Sequence, residues 1–245
     1  MRLLLINANT SSEITRRVAE EARRIAGAET EIQAVTADFG TSLIRTRSDN
    51  VIAAHAALAA LARSPVPYDA AVLAVSTDTG LAALREASPA PVVGMTEAAL
   101  LTACMLGGRF GLIVFDTRAM PVFRETVAMH GLLDRLAGIH TVAMTVADFR
   151  QPDRVRAEIL SGIDTLVRHS GAECIIVTGA TMAGVARSLQ ADSPVPLLDG
   201  ISCAVLQAES LARLRVPKPR AGSLQRQGSE NLTGVDPALA DLLNS

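Results

Sequence analysis

The chain has 245 residues, 23 Lys plus Arg against 25 Asp plus Glu for a formal net charge of -2, and 49% hydrophobic residues. That near balance gives no basic footprint for nucleic acid or an anionic membrane, and the apolar content excludes a disordered chain. Met1-Arg2 before Leu3–Ile6 is too short for a signal peptide, and no later run reaches the roughly 20 residues of a membrane span. The expectation is a soluble cytoplasmic α/β protein with neither nucleic-acid nor membrane partners.

Strand-like apolar runs occur at Leu3–Ile6, Ile32–Val35, Ala70–Val75, Val92–Gly94, Gly111–Phe115, Thr141–Thr145, Cys174–Val177 and Val195–Leu198. Several are almost continuously apolar, as parallel strands covered on both faces require. Helical stretches lie between them: amphipathic Ser12–Ile25, then Asn50–Leu61, Thr96–Leu106, Met120–Met129, Asp153–Arg168 and Ala183–Gln190. Pro152-Asp153 reads as a helix start, Gly131 and Gly171 as stops, and Pro237–Leu243 as a short terminal helix. Strands alternating with helices predict an α/β fold with parallel sheets.

The rhythm repeats. Two flavodoxin-like lobes of about four strands each are expected. The first spans 1–95 and is completed by the terminal segment 210–245; the second spans 96–209. The third run of each half leads into a small, hydroxyl-rich turn, Val75-Ser76-Thr77-Asp78 in one and Gly179-Ala180-Thr181-Met182 in the other. Open parallel sheets bind ligands beyond the carboxyl ends of their strands, so facing lobes would set these turns on opposite sides of one cleft.

Two absences narrow the chemistry. Lys218 is the only lysine and lies between Pro217 and Pro219, a poor setting for a Schiff base. His55, His130, His140 and His169 show no i,i+4 pairing and no cysteine neighbours, so no metal site is expected. Cys104, Cys174 and Cys203 are too few and too scattered for a disulfide framework or a zinc signature. No Walker-type loop or dinucleotide fingerprint occurs, and no cofactor is expected. Gly200-Ile201-Ser202-Cys203-Ala204 lacks the closing glycine and the later histidine of a nucleophile elbow.

A set of short motifs runs through residues 2 to 210: Ile6-Asn7-Ala8-Asn9-Thr10-Ser11, Asp78-Thr79-Gly80-Leu81, Val93-Gly94 before Thr96-Glu97-Ala98-Ala99, and Arg109-Phe110-Gly111-Leu112-Ile113. Arg118 and Pro121, Met182-Ala183-Gly184, and Pro196-Leu197-Leu198-Asp199-Gly200 complete the set. In their order and spacing these resemble the Asp/Glu/hydantoin racemase superfamily, in the style of its hydantoin and allantoin racemases. The resemblance implies a cofactor-independent homo-oligomer acting on a small carboxylate or cyclic amide. One cysteine from each lobe flanks the substrate carbon, one taking a proton and the other returning it. In register with the surrounding motifs, those two positions hold Val75 and Gly179, and a one-residue shift would put Ser76 at the first as a catalytic candidate, though an unactivated hydroxyl is a poor replacement for a thiol.

Other groups must then do the work. Asn9, Thr10 and Ser11, between first strand and first helix, can hold an anion. Ser76 and Thr77 from one lobe, with Gly179, Ala180 and Thr181 from the other, can grip carboxylate or carbonyl oxygens; capping is their alternative role. Asp78 is the leading acid/base candidate, or else a helix N-cap, and Asp199 faces the same choice. Arg118 either meets a substrate carboxylate bidentately or lies on the surface. Arg45 and Arg47 fall in a long connection that could form a lid. Cys203, in the first turn of a helix, is either a relocated base or a structural thiol. Cys104 reads as core packing, and Cys174 lies about 16 Å down its strand from the cleft.

The leading reading is therefore a racemase-like enzyme with altered chemistry. A hydrolase or lyase using Asp78 and the hydroxyl cradle, or a non-catalytic anion-binding relative, are the alternatives.

Overall fold

A computed structural model describes residues 1–64, 66–143, 152–226, 228 and 231–244, and every structural statement below concerns these. Strands β1 (Arg2–Asn7), β2 (Glu31–Thr36), β3 (Ala70–Leu73) and β4 (Val92–Gly94) form one all-parallel sheet in the order β2-β1-β3-β4. Strands β5 (Phe110–Val114), β6 (Leu136–Thr141), β7 (Cys174–Val177) and β8 (Leu197–Asp199) form a second, in the matching order β6-β5-β7-β8. The helices are α1 (Ser12–Ile25), α2 (Arg47–Ala62), α3 (Leu81–Ala87), α4 (Met95–Leu106), α5 (Ala119–Met129), α6 (Pro152–Ser170), α7 (Val185–Leu189), α8 (Gly200–Leu214) and α9 (Pro237–Asn244). The architecture is the expected two-sheet α/β fold.

Strand alternation separates the core into layers. Leu3, Leu5, Val72, Leu112, Val114 and Ile176 face inward and pack with α1, α4 and α8 in one central core shared by both sheets. Leu4, Ile6 and Leu73 face outward beneath α2 and α3, where Leu242 and Leu243 of α9 also pack. Ile113, Ile175 and Val177 do the same beneath α6 and α7. Helices α4 and α8 pack against each other, and each reaches both sheets: α4 lies against β4 and β7, α8 against β3 and β8. No helix among the described residues is long and apolar enough to cross a membrane.

Two local readings change, and α3 is a helix the sequence reading did not name. The sixth strand runs over Leu136–Thr141, ahead of the predicted Thr141–Thr145, of which residues 144 and 145 lie outside the described set. As an edge strand it is mostly half-buried, so it tolerates Gly138 and His140 and lacks the continuous apolar run of a central strand. Helix α3 follows Gly80, whose φ of 78° places it in the left-handed region. The predicted helix over Ala183–Gln190 is reduced to α7, because Gly184 (φ 79°) breaks the chain before it and a 3-10 turn over Gln190–Asp192 follows.

Gly200 fixes the approach of α8 to α4. A Cβ built there would lie 2.6 Å from the Met95 carbonyl oxygen, inside any allowed contact. Gly200→Ala should therefore destabilise the fold by about 1–3 kcal/mol, which urea unfolding of the variant beside the wild type would measure. An unchanged midpoint would show that the helix crossing yields cheaply.

Candidate functional site

The carboxyl ends of both sheets open on one cleft of about 800 Å³. Asn9 and Ser11 line it from the β1–α1 turn, Ala74–Thr77 from beyond β3, Phe115 and Asp116 from beyond β5, and Thr178–Thr181 from beyond β7. Residues Ser42–Arg45, ahead of α2, line one side, and Asn50 of α2 joins them. The two turns touch across the cleft: Ala180 N–H donates to Ser76 Oγ at 3.1 Å.

The lobes place equivalent residues in equivalent positions. Ile6 pairs with Leu73 and Ile113 with Val177. Ala74 N–H donates to the Ile6 carbonyl at 2.8 Å, and Thr178 N–H to the Ile113 carbonyl at 3.0 Å. Counting on from these pairs, Val75 matches Gly179, and both line the cleft. Gly179 has φ 102°, and a Cβ added to it would find only ordinary contacts, 3.6 Å to Thr181 Oγ1 being the nearest.

Asn9 is oriented by its neighbours. Its Oδ1 accepts from Asn7 Nδ2 at 3.0 Å and from Ser11 N–H at 2.9 Å. Asn7 is fixed in turn by Thr15 Oγ1 at 2.9 Å. With Oδ1 doubly engaged, the amide can only be read one way round, and Nδ2 has no protein partner among the described residues. Asn9 is only 5% exposed, so a cleft ligand meets a preoriented donor. Thr77 Oγ1 donates to Asn50 Oδ1 at 2.7 Å and lies 2.7 Å from Thr79 Oγ1, which also reaches Asn50 Oδ1.

Of the residues singled out from the sequence, the cleft gathers Asn9, Ser11, Ser76, Thr77, Gly179, Ala180 and Thr181, along with Arg45. Thr10 does not line it; its N–H donates to the Thr41 carbonyl at 3.0 Å and pins the start of the connection that leads to Arg45. Arg47 forms an ion pair with Glu125 of α5, joining the two lobes outside the cleft lining. Arg118 is exposed at the start of α5.

Asp78 also lies outside the lining, and it is committed to structure. Helix α4 begins after Gly94, which has no side chain to cap it. Asp78 caps it from a distance, accepting from Thr96 N–H at 3.1 Å and Glu97 N–H at 2.6 Å, with His130 Nε2 at 3.2 Å. Its φ of 50° is unusual for a residue with a side chain. Burial pushes its carboxyl above the ordinary value, against the hydrogen bonds from His130, Glu97 and Thr96. In the second lobe Asp199 does the same work locally, capping α8 through Ser202 N–H at 2.9 Å, and burial raises it too. The acid/base role expected of either gives way here to capping.

Cys203 is 6% exposed in the central core, and burial pushes its thiol up to about 12. Cys174 is likewise raised to about 11 by burial. The helix N-terminus that could activate Cys203 is outweighed by desolvation, so it cannot serve as a cleft base. Among the described residues no group of three His, Cys, Asp or Glu side chains is placed to hold a metal.

The sequence-based reading missed Asn50, Phe115, Asp116, Glu13 and Arg17, all of which line the cleft. The signal for Asp116 was present: it stands three residues beyond Ile113, as Asn9 stands three beyond Ile6. Asn50 carried none, since its place depends on how α2 crosses the sheet.

The sequence profile described as Asp/Glu/Hydantoin racemase matches residues 3–208. The chain belongs to the Asp/Glu/hydantoin racemase family. Hydantoin racemase of Paenarthrobacter aurescens is 32% identical over 229 residues, covering 92% of this chain and 97% of that protein. The crystal structure of allantoin racemase from Pseudomonas fluorescens superposes with a TM-score of 0.91 at 30% identity, covering 96% of this chain and all of that one. Allantoin racemase from Klebsiella pneumoniae gives 0.92 at 29% identity, covering 98% of each.

Two outcomes follow from this placement. In native protein a thiol reagent such as Ellman's should leave Cys174 and Cys203 untouched and modify at most the half-buried Cys104, with all three reacting in denaturant. Release of two or more thiols from the folded chain would contradict the burial. Separately, a buried carboxyl with a raised value favours folding fully when protonated, and that contribution is lost as pH rises through its folded value. Unfolding free energy should therefore fall more steeply in the wild type than in Asp78→Asn as pH rises above the ordinary carboxylate range; equal slopes would show that Asp78 is not elevated.

Proposed function

We propose that this chain is a cofactor-independent, racemase-like enzyme that binds a small cyclic ureide between its lobes and exchanges the proton on the carbon beside a ring carbonyl. The observation that carries the reading is the cleft lining, where the hydrogen-bonding groups that are not exposed are neutral apart from Asp116 and no cation stands among them. Asn9, Asn50, Ser76, Thr77 and Thr181 are amides and hydroxyls, while Glu13, Arg17 and Arg45 stand exposed at its margin. Such a surface suits a ring of alternating N–H and C=O groups better than a dicarboxylate, which calls for converging cations. The relatives named hydantoin racemase and allantoin racemase support the same substrate class. A homo-oligomer belongs to this proposal on the resemblance alone, and a cytoplasmic location on the sequence reading alone.

The binding step follows from the geometry. Asn9 Nδ2 donates to a ligand carbonyl, and the same bond strengthens as negative charge gathers on that oxygen when the neighbouring carbon loses its proton. Because the network through Asn7 and Thr15 already holds the amide, this costs no reorganisation during the reaction. The hydroxyls of Ser76, which accepts from Ala180 N–H, and of Thr181 keep a proton to donate, whereas that of Thr77 is committed to Asn50 Oδ1. Proton transfer differs from the two-thiol pattern, since Val75 and Gly179 occupy the matched positions where the resemblance expects cysteines: a water in the cleft takes the proton from the ring carbon, and solvent water returns one to it. That substitution specifically favours one second reading, a protein that binds the ureide without turning it over.

Proton NMR in deuterated buffer distinguishes them. With 5-methylhydantoin, the enzyme reading expects slow solvent exchange at the ring carbon by the wild type. It also expects a rise of at least ten-fold in V75C/G179C, where both thiols are restored. The strained φ at Gly179 costs about 1–3 kcal/mol when substituted, so V75C alone is the better-folded companion. Ligand-induced stabilisation of the wild type without exchange would establish the binding-protein reading. New product signals without exchange would indicate a bond-breaking reaction.

A further inference from the structure

The two lobes are matched strand for strand, so a difference between matched residues marks where the cleft is asymmetric by design. Three residues beyond Ile6 comes Asn9, and three beyond Ile113 comes Asp116. Both side chains make the same local turn: Asn9 Oδ1 accepts from Ser11 N–H at 2.9 Å, and Asp116 Oδ1 accepts from Arg118 N–H at 2.8 Å. What each leaves over is opposite in character. Asn9 leaves Nδ2, a donor; Asp116 leaves Oδ2, a charged acceptor with no protein partner among the described residues. Among the described residues, Asp116 is the only ionisable side chain lining the cleft that is not exposed, for Glu13, Arg17 and Arg45 all are.

We infer that Asp116 is the specificity residue of the cleft, accepting a ring N–H from a cyclic ureide and turning away carboxylate ligands. The inference rests on the ureide reading above and deepens it. Donor and acceptor stand on opposite lobes, so the favoured ligand presents a carbonyl toward Asn9 and an N–H toward Asp116. A ring of alternating N–H and C=O groups does both. A carboxylate group turned toward Asp116 presents no N–H and sets a second negative charge beside it, where partial burial keeps like-charge repulsion strong. A site built to accept an N–H also rejects an analogue that lacks it, because the acceptor is then left unpaired. Asp116 is not assigned a proton-transfer role; it acts through binding and selection.

The test uses calorimetry on the full-length wild type and D116N with three probes. These are 5-methylhydantoin, its fully N-methylated form 1,3,5-trimethylhydantoin, and the ring-opened carboxylate N-carbamoylalanine. D116N is nearly isosteric and retains the Oδ1 bond to Arg118 N–H, so folding is preserved; N9D serves as a second variant that alters the matched residue. The wild type is expected to bind 5-methylhydantoin about 10- to 100-fold more tightly than the trimethyl form, the range for a hydrogen bond to a charged acceptor. D116N should close most of that gap and bind N-carbamoylalanine more tightly than the wild type does. N9D should weaken hydantoin binding while leaving the dependence on ring N–H intact. A D116N protein that keeps the wild-type preference for free N–H overturns the inference and leaves the ureide reading standing. A wild type that binds N-carbamoylalanine but neither hydantoin overturns both.

Discussion

The crossing of α4 and α8 sets everything that happens at the cleft. Gly200 brings α8 against the Met95 carbonyl at a distance no other side chain permits, and each helix also packs on both sheets. The two β-sheets are thereby held with their carboxyl ends facing. Only at that separation can Ala180 N–H of one lobe reach Ser76 Oγ of the other. The central core, shared by both sheets, makes the relative placement of the lobes a property of packing.

The same crossing explains how the buried acids are used. Helix starts leave unpaired N–H groups that need acceptors. At α8 the residue before the helix is Asp199 and the need is met locally; at α4 it is Gly94, and Asp78 meets it from the turn after β3. Gly94 has to be glycine for this to work, since a Cβ there would lie 2.5 Å from Asp78 Oδ1. His130, capping the end of α5, then ties the second lobe to the same carboxyl. Two acids that look catalytic by position thus turn out to be joints.

How much of this could be read from the sequence varies with the kind of question. Buried strands announce themselves through continuous apolar runs, so Val92–Gly94 and Cys174–Val177 match strand for strand, whereas the half-exposed edge strand Leu136–Thr141 does not. Amphipathic α1 is legible to the residue because Ser11 caps it in sequence. The site was legible as a set of turns at strand ends, which gathered Asn9, Ser11, Ser76, Thr77 and the Gly179–Thr181 turn into one cleft. Direction was not legible. Asp78 is close in sequence to Ser76, yet one side chain bridges the cleft and the other serves a helix 18 residues further on. Such distant capping leaves no local pattern, and neither does the desolvation that silences Cys203.

The mismatch of Asn9 and Asp116 across an otherwise matched pair of lobes has a kinetic meaning. Interconversion of mirror images has an equilibrium constant of one in water, so a racemising catalyst must show equal kcat/KM for both enantiomers. Repetition of the lobes is not reflection, so duplication alone does not make the cleft treat the two hands alike. A cleft with an amide on one side and a carboxylate on the other binds the two hands with different affinity, and its two turnover numbers then diverge in the same ratio as its two Michaelis constants. The fold is a near-duplicate of itself, but the chemistry it frames has a left and a right.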